Sequence, residues 1–326
     1  MDTSHGELEV HVARKIVMLG AAAAAAILVI GCGGGGDEED EPTQEPQATS
    51  QPPTEVSETP AAGDTVSIDE SFWHAGWKVT LGDATFTAGD VGSAGVAIDA
   101  TFENLGEDTA TFDSQLVLTA GGENYSDASV DQDLPQVPGG LTGKGVIAFD
   151  VEDTFAFDDA TLIIGNTNNN QAIVPLGPEG DALVTLEPRA IAVAGTVVAG
   201  ALTVTIEGAE LRADLPDVHS IAEKGKLLLT VRFSASPAAG IQIGQGVLQS
   251  EAVALKLPDG TAVAVRSDGR SGVNELLQGK EGTTIPELSV RFEIDDPAAG
   301  NYAFVLRGNY GPGGAEATGE LAFVIP

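Results

Sequence analysis

Cysteine is nearly missing from this sequence: Cys32 is the only one in 326 residues, so no intramolecular disulfide can form. Histidine is almost as scarce. Only His74 and His219 lie beyond the first 31 residues, too few soft ligands for a zinc site of the usual composition. Bases are few as well, 15 against 49 acids, for a formal net charge of −34. Such a surface argues against nucleic-acid binding, which rests on neutralising phosphates. The most strongly apolar run, Ile16 to Ile30, covers 15 residues, whereas a helix needs about 20 to span a bilayer. Sustained 3.6-residue periodicity is absent from the rest of the chain, which argues against a helical domain.

What is present begins with a leader of three parts. Arg14 and Lys15 carry positive charge, the apolar run follows, and small Gly31 precedes Cys32. This is the layout of an export signal, spanning residues 1–31. Val29-Ile30-Gly31-Cys32 resembles the bacterial lipobox. The resemblance implies cleavage before Cys32, acylation of its thiol, and attachment to the outer side of the cell membrane. Residues 32–65 then read as a disordered tether rich in Pro, Glu, Ser, Thr and Gln. Such a segment buries too little apolar area to offset its ordering entropy. Removing the leader's three acids and two bases and the tether's nine acids leaves 37 acids against 13 bases, a net of −24 on the exported body. That charge disfavours lying flat on an anionic membrane and tolerates cationic partners.

The body shows short Val, Ile, Leu, Phe and Thr runs between Gly, Pro, Asn and Asp clusters, the pattern of an all-β sandwich. Expected strands are Trp77–Phe86, Gly95–Phe102, Gln115–Ala120, Val146–Val151 and Ala160–Ile164 in the first half. In the second half they are Ala201–Leu211, Lys226–Phe233, Ala252–Leu257, Ser289–Ile294, Tyr302–Leu306 and Glu320–Ile325. An internal repeat supports two copies of one unit. Val79–Phe86 reads beside Val204–Leu211, Val96–Phe102 beside Leu227–Phe233, and Phe149–Asp153 beside Phe292–Asp296, at offsets of 125, 131 and 143 residues. We therefore expect two tandem β-sandwich domains, 66–188 and 189–326, joined near Leu186–Val193.

The stretch Trp73–Leu81, the strand end Phe102-Glu103-Asn104-Leu105-Gly106, the turn Pro138-Gly139-Gly140 and the run Lys144–Val151 carry a family resemblance. The chain resembles immunoglobulin-like domains of uncharacterised bacterial lipoproteins, similar in architecture to the secreted mycobacterial immunogenic antigen family. The resemblance covers residues 72–177 and, more faintly, 198–326. It implies an immunoglobulin-like fold in both halves and no particular chemistry, because this architecture hosts many roles.

Candidate functional residues are few. Trp73, His74 and Trp77 form the most unusual local cluster. They could serve as a binding platform for a glycan, a lipid or a protein partner, or Trp77 could belong to the core with Trp73 and His74 covering the end of the sandwich. His219 follows Asp214 and precedes Ser220, but no G-x-S-x-G elbow accompanies it, and a turn histidine is the preferred reading. Asp150, Glu152, Asp153, Asp158 and Asp159 crowd one connection. Hard oxygen ligands there could hold Ca²⁺ weakly, though a solvated acidic edge that discourages strand pairing is preferred. The Gly139–Gly145 stretch lacks the spacing of a phosphate loop, so no nucleotide is expected, and no cofactor is required. These readings converge on a lipid-anchored, non-enzymatic binding or adhesion module. An accessory subunit of a cell-envelope complex is the alternative, and an extracellular hydrolase is less favoured.

Overall fold

In a computed structural model, residues 64–89, 94–126, 132–239, 246–267 and 272–326 are described. The leader, Cys32 and nearly all of the tether lie outside them. The described chain is all-β, with three-residue 3₁₀ turns as its only helical segments.

Nine strands form the two main sheets of the first half: β1 (Thr65–Ser67), β2 (Ser71–His74), β3 (Trp77–Thr87), β4 (Ala94–Asn104), β5 (Leu116–Ala120), β6 (Glu123–Ser126), β7 (Thr142–Val151), β8 (Thr161–Ile164) and β9 (Ala172–Pro175). One sheet runs β1-β3-β4-β7 with β2 also on β3, and the other runs β9-β8-β5-β6. Nine more form the two main sheets of the second half, beside two short two-stranded ladders: β10 (Arg189–Ile191), β11 (Gly195–Ala199), β12 (Leu202–Arg212), β13 (Lys226–Pro237), β14 (Val253–Lys256), β15 (Ala262–Ala264), β16 (Ile285–Asp295), β17 (Gly300–Gly308) and β18 (Ala317–Ile325). Their sheets run β10-β12-β13-β16, with β11 on β12, and β15-β14-β17-β18. Strand for strand the halves share one topology, with three long strands facing a four-stranded sheet as in immunoglobulin-like sandwiches.

Each half has its own core. The first gathers Phe72, Trp77, Phe102, Phe112, Phe149 and aliphatic neighbours, ending at Leu176. The second begins at Ile191 and centres on Phe233, Phe292 and Phe304. The alternation that predicted the strands is the alternation that is buried: Val96, Ile98 and Ala100 face inward while Ala97, Asp99 and Thr101 do not.

The repeat extends to a defect. In β3, buried positions run Trp77, Val79, Leu81 and then Ala84, because one extra residue bulges against β4 after Leu81. In β12 they run Val204, Ile206 and then Ala209, with the bulge after Ile206. A bulge shifts the inward parity by one, and both copies shift at the same place. Register also corrects the middle match. Leu81 stands opposite Ala100, whereas its counterpart Ile206 stands opposite Phe233. Phe233 therefore corresponds to Ala100 and not to Phe102. Side chains alternate with period two, so a slip of two residues keeps every residue on its face and leaves the hydrophobic pattern unchanged. The third match holds: Ile98 opposes Ile147 and Val231 opposes Val290, which keeps the offset of 143.

Candidate functional site: the seam between the sandwiches

The described residues from 64 onward form one compact unit, so the two sandwiches meet. Their seam is built in the second sandwich from the 13-residue connection between β12 and β13, which folds back as a short ladder, Asp214–Leu215 against Ser220–Ile221, around a 3₁₀ turn at Pro216–Val218. Leu215, Ala222 and Leu228 pack together beneath it as a small third cluster. The first sandwich contributes the Ala75-Gly76 turn between β2 and β3, the loop after β4 and the Asn-rich loop after β8.

Asp214 is the central group. It is only 2% exposed. One of its oxygens accepts the Gly76 backbone N–H at 2.7 Å, and the other accepts Arg212 Nε–H at 2.8 Å. Both bonds are charge-assisted, which is what allows a carboxylate to be buried. Gly76 reaches it because φ is +81° there and because a Cβ would lie 2.8 Å from Pro216 Cα. Gly106 makes a second close approach, where a Cβ would lie 2.8 Å from both Pro216 O and His219 Nε2. Buried Asn104 holds that loop in place. Its amide donates to the carbonyls of Asp108 and Val137, and its oxygen accepts the Gly106 N–H.

On the far side, the chain pairs across the seam. Asn170 N–H donates to Ala222 O at 3.1 Å and Lys224 N–H to Asn168 O at 2.9 Å. The Asn170 side chain adds two more bonds, to Lys226 O and from Gly225 N–H. Short Asn side chains can satisfy backbone groups that no strand reaches, which gives the Asn166–Asn170 run its physical reason.

The residues singled out in the sequence separate here. His74 and Trp77 are buried, 3% and 2% exposed, while Trp73 alternates to the outer face of β2 and stays partly accessible with Lys78 Nζ 5.2 Å from its ring centroid. Trp77 is a core residue, edge-on to Phe102 and Phe112, and its ring lies 5.6 Å from that of His219. The structure thus brings His219, 142 residues away in sequence, against Trp77. His219 Nδ1 lies 3.2 Å from Ala75 O, and His74 Nδ1 lies 3.0 Å from Ser114 Oγ. Asp214 is committed to Gly76 and Arg212, so His219 and Asp214 form no relay.

Three buried side-chain polar atoms lack a hydrogen-bond partner among the described residues: His74 Nε2, His219 Nε2 and Arg212 Nη2. Arg212 and His219 belong to the contacts that bridge the seam, whereas His74 bonds Ser114 within the first sandwich. Burial pushes the His74 imidazole down to about 4, against the opposing pull of the Asp214 charge and the Asn170 carbonyl. His74 is therefore neutral at neutral pH.

The carboxylates of the β7–β8 connection divide. Asp159 accepts the Gly121 N–H with both oxygens, and together with Glu123, Tyr125 and Glu152 it lines an open cleft of about 130 Å³. Asp150, Asp153 and Asp158 are exposed and do not line it. Burial first, then the charges of Glu152 and Glu123, raises the Tyr125 hydroxyl. Among the described residues no three His, Cys, Asp or Glu side chains converge as a metal set.

Arg212, Gly76, Gly106 and Asn170 are seam-forming residues that the sequence did not mark as functional, and Asp214 stood out there only as an acid near His219. The available signal was Gly and Asn at connections where no strand periodicity needed them. No protein-family model matches the chain, and no curated protein matches its sequence.

Proposed function

We propose that this chain is an extracytoplasmic lipoprotein, anchored through lipid on Cys32, whose two sandwiches act together as a non-enzymatic binding or adhesion module. The location rests on the leader and the Val29-Ile30-Gly31-Cys32 motif. A tether of more than 30 residues would hold the body clear of the headgroups. The observation that carries the binding reading is the use made of the reactive side chains. His219 and the most buried carboxylate, Asp214, join one sandwich to the other, and buried His74 bonds Ser114 inside the first, rather than lining an open cleft. That leaves shape and surface, most accessibly the Trp73–Lys78 face, as the means of action.

The test uses intact cells. The full chain should incorporate a palmitate analogue and fractionate with membranes, and Cys32→Ser should lose both. Label on Cys32→Ser would remove the anchor from the account. Surface crosslinking should capture an envelope protein or glycan in the wild type, with reduced yield for Trp73→Ala. A single stoichiometric envelope partner, captured equally well by Trp73→Ala, would favour an accessory subunit. Turnover of an ester or glycoside abolished by His219→Ala would overturn the non-enzymatic reading.

A further inference from the structure

We propose that the outer face of the first sandwich carries a cleft for an uncharged oligosaccharide, set at the β3 bulge beside Trp73. This names the ligand class of the binding module proposed above and rests on that reading. The cleft is open, holds about 480 Å³ and is lined by Asp69, Thr80, Asp83, Asp99, Thr101 and Lys144. Small-ligand sites fall in the same range, about 300–1,000 Å³. The bulge after Leu81 sets Gly82 and Asp83 against Asp99. Gly82 and Gly145, also in the wall, add no side chain to fill it. Cross-strand register places Trp73 at one end. Ser71, Thr80, Thr101 and Lys144 form one row across β2, β3, β4 and β7, and Trp73, opposite Lys78, begins the next row. Diagonal neighbours of this kind lie about 7–8 Å apart, within reach of an aromatic ring. Lys78 Nζ, 5.2 Å from the indole centroid, holds that ring on the face.

The second sandwich supplies an internal comparison. By the same register, Glu207, Arg232, Leu288 and Val198 stand where the first has Gly82, Asp99, Gly145 and Trp73. Long side chains thus occupy places that are short or bare in the first copy. Arg232 Nη2 comes within 3.7 Å of a Cβ placed on Gly208 in the second bulge. The glycine floor and the indole beside it belong to the first copy.

The lining chemistry selects the ligand. Among the described residues, the side chains of Asp83, Asp99, Thr101 and Lys144 make no hydrogen bond or ion pair. Carboxylates only accept hydrogen bonds, an ammonium only donates, and a threonine hydroxyl does both. Sugar hydroxyls donate and accept, so one saccharide satisfies all of them. An anionic ligand would meet the carboxylates of Asp69, Asp83 and Asp99, and a cationic one would meet Lys78 and Lys144. A protein interface core is built on apolar and aromatic anchors, whereas the cleft's apolar members, Leu81 and Ala100, are buried. Trp73 offers the flat apolar surface against which the C–H face of a sugar packs. The Trp73 row crosses β4 at Glu103, four residues from Asp99. That is about 13 Å of strand, the length of a short oligosaccharide rather than of one ring.

Retention of the full-length chain on immobilised cello-, chito- and manno-oligosaccharides tests this. At least one of the three should retain the protein. Trp73→Ala should weaken that retention about three- to tenfold. Asp99→Arg, which installs the second copy's residue at an exposed position, should abolish it with the urea midpoint unchanged. Retention undiminished in both variants, or none on any of the three, overturns the cleft. A protein captured by surface crosslinking would in that case leave the binding module standing. Stronger retention on polylysine or on a uronic-acid polymer than on every neutral chain would also overturn it, because the site would then select charge.

Discussion

Gly106→Ala tests the seam with one methyl group. A Cβ at this position would stand 2.8 Å from Pro216 O and from His219 Nε2. Ordinary contact begins near 3.4 Å, so the second sandwich must retreat by about half an ångström. Pro216 O opens the 3₁₀ turn and accepts the His219 backbone N–H, so it yields less than a flexible side chain would. Gly106 lies outside the left-handed region. Alanine therefore brings no conformational strain there and makes the unfolded chain less costly to order by about 0.4–1 kcal/mol. Overpacking of this kind costs about 1–3 kcal/mol, so a net loss of about 1–2 kcal/mol is expected. Urea unfolding followed by fluorescence measures it, since Trp77 lies 5.6 Å from His219 and reports on the seam. Gly122→Ala is the control. Its φ is +81° with nothing within 4 Å, so it should lose about 1 kcal/mol from backbone strain with folded-state emission unchanged. If Gly106→Ala proves as stable as the wild type with identical Trp77 emission, the sandwiches do not touch as described.

Three further outcomes follow from the same geometry. Asp214→Ala leaves Arg212 buried without its main partner and should cost about 3–5 kcal/mol, whereas Asp214→Asn, which keeps an acceptor for Gly76 N–H, should cost clearly less; equal losses in denaturant melts would contradict the charge pairing. Trp77→Ala should cost about 3–5 kcal/mol as a large core truncation, against less than about 1 kcal/mol for partly exposed Trp73→Ala, and calorimetry that ranks them the other way would reverse their assignment. Burial pushes the Tyr310 hydroxyl up to about 12, so the folded state keeps a proton that the unfolded state gives up near 10. Stability should be full below pH 10 and fall by about 2–3 kcal/mol as the pH rises through 12, and Tyr310→Phe should flatten that alkaline limb in pH-dependent urea midpoints.

Legibility in the sequence followed the range of the interaction. The eleven strands expected from runs of β-formers are all present, most of them extended by one to four residues at an end. β9 was missed because Ala172–Pro175 is four residues long and follows an Asn-rich loop, so periodicity had nothing to count. The repeat was legible because duplicated sandwiches keep duplicated inward faces, even at the bulge. Its middle register was not, since a slip of two residues leaves the pattern intact.

The candidate site divides along the same line. The sequence alone determined that the body is all-β and duplicated, that its thiol chemistry is confined to Cys32, and that its surface is strongly acidic, because composition and short-period patterning carry those properties locally. Only the tertiary structure decided that His74 and Trp77 are buried while Trp73, between them, turns outward. It alone placed His219 on Trp77, and Asp214 on the Gly76 backbone 138 residues away. Those pairings depend on two loops approaching to van der Waals contact at Gly76 and Gly106, and no periodicity within either loop encodes the approach of the other.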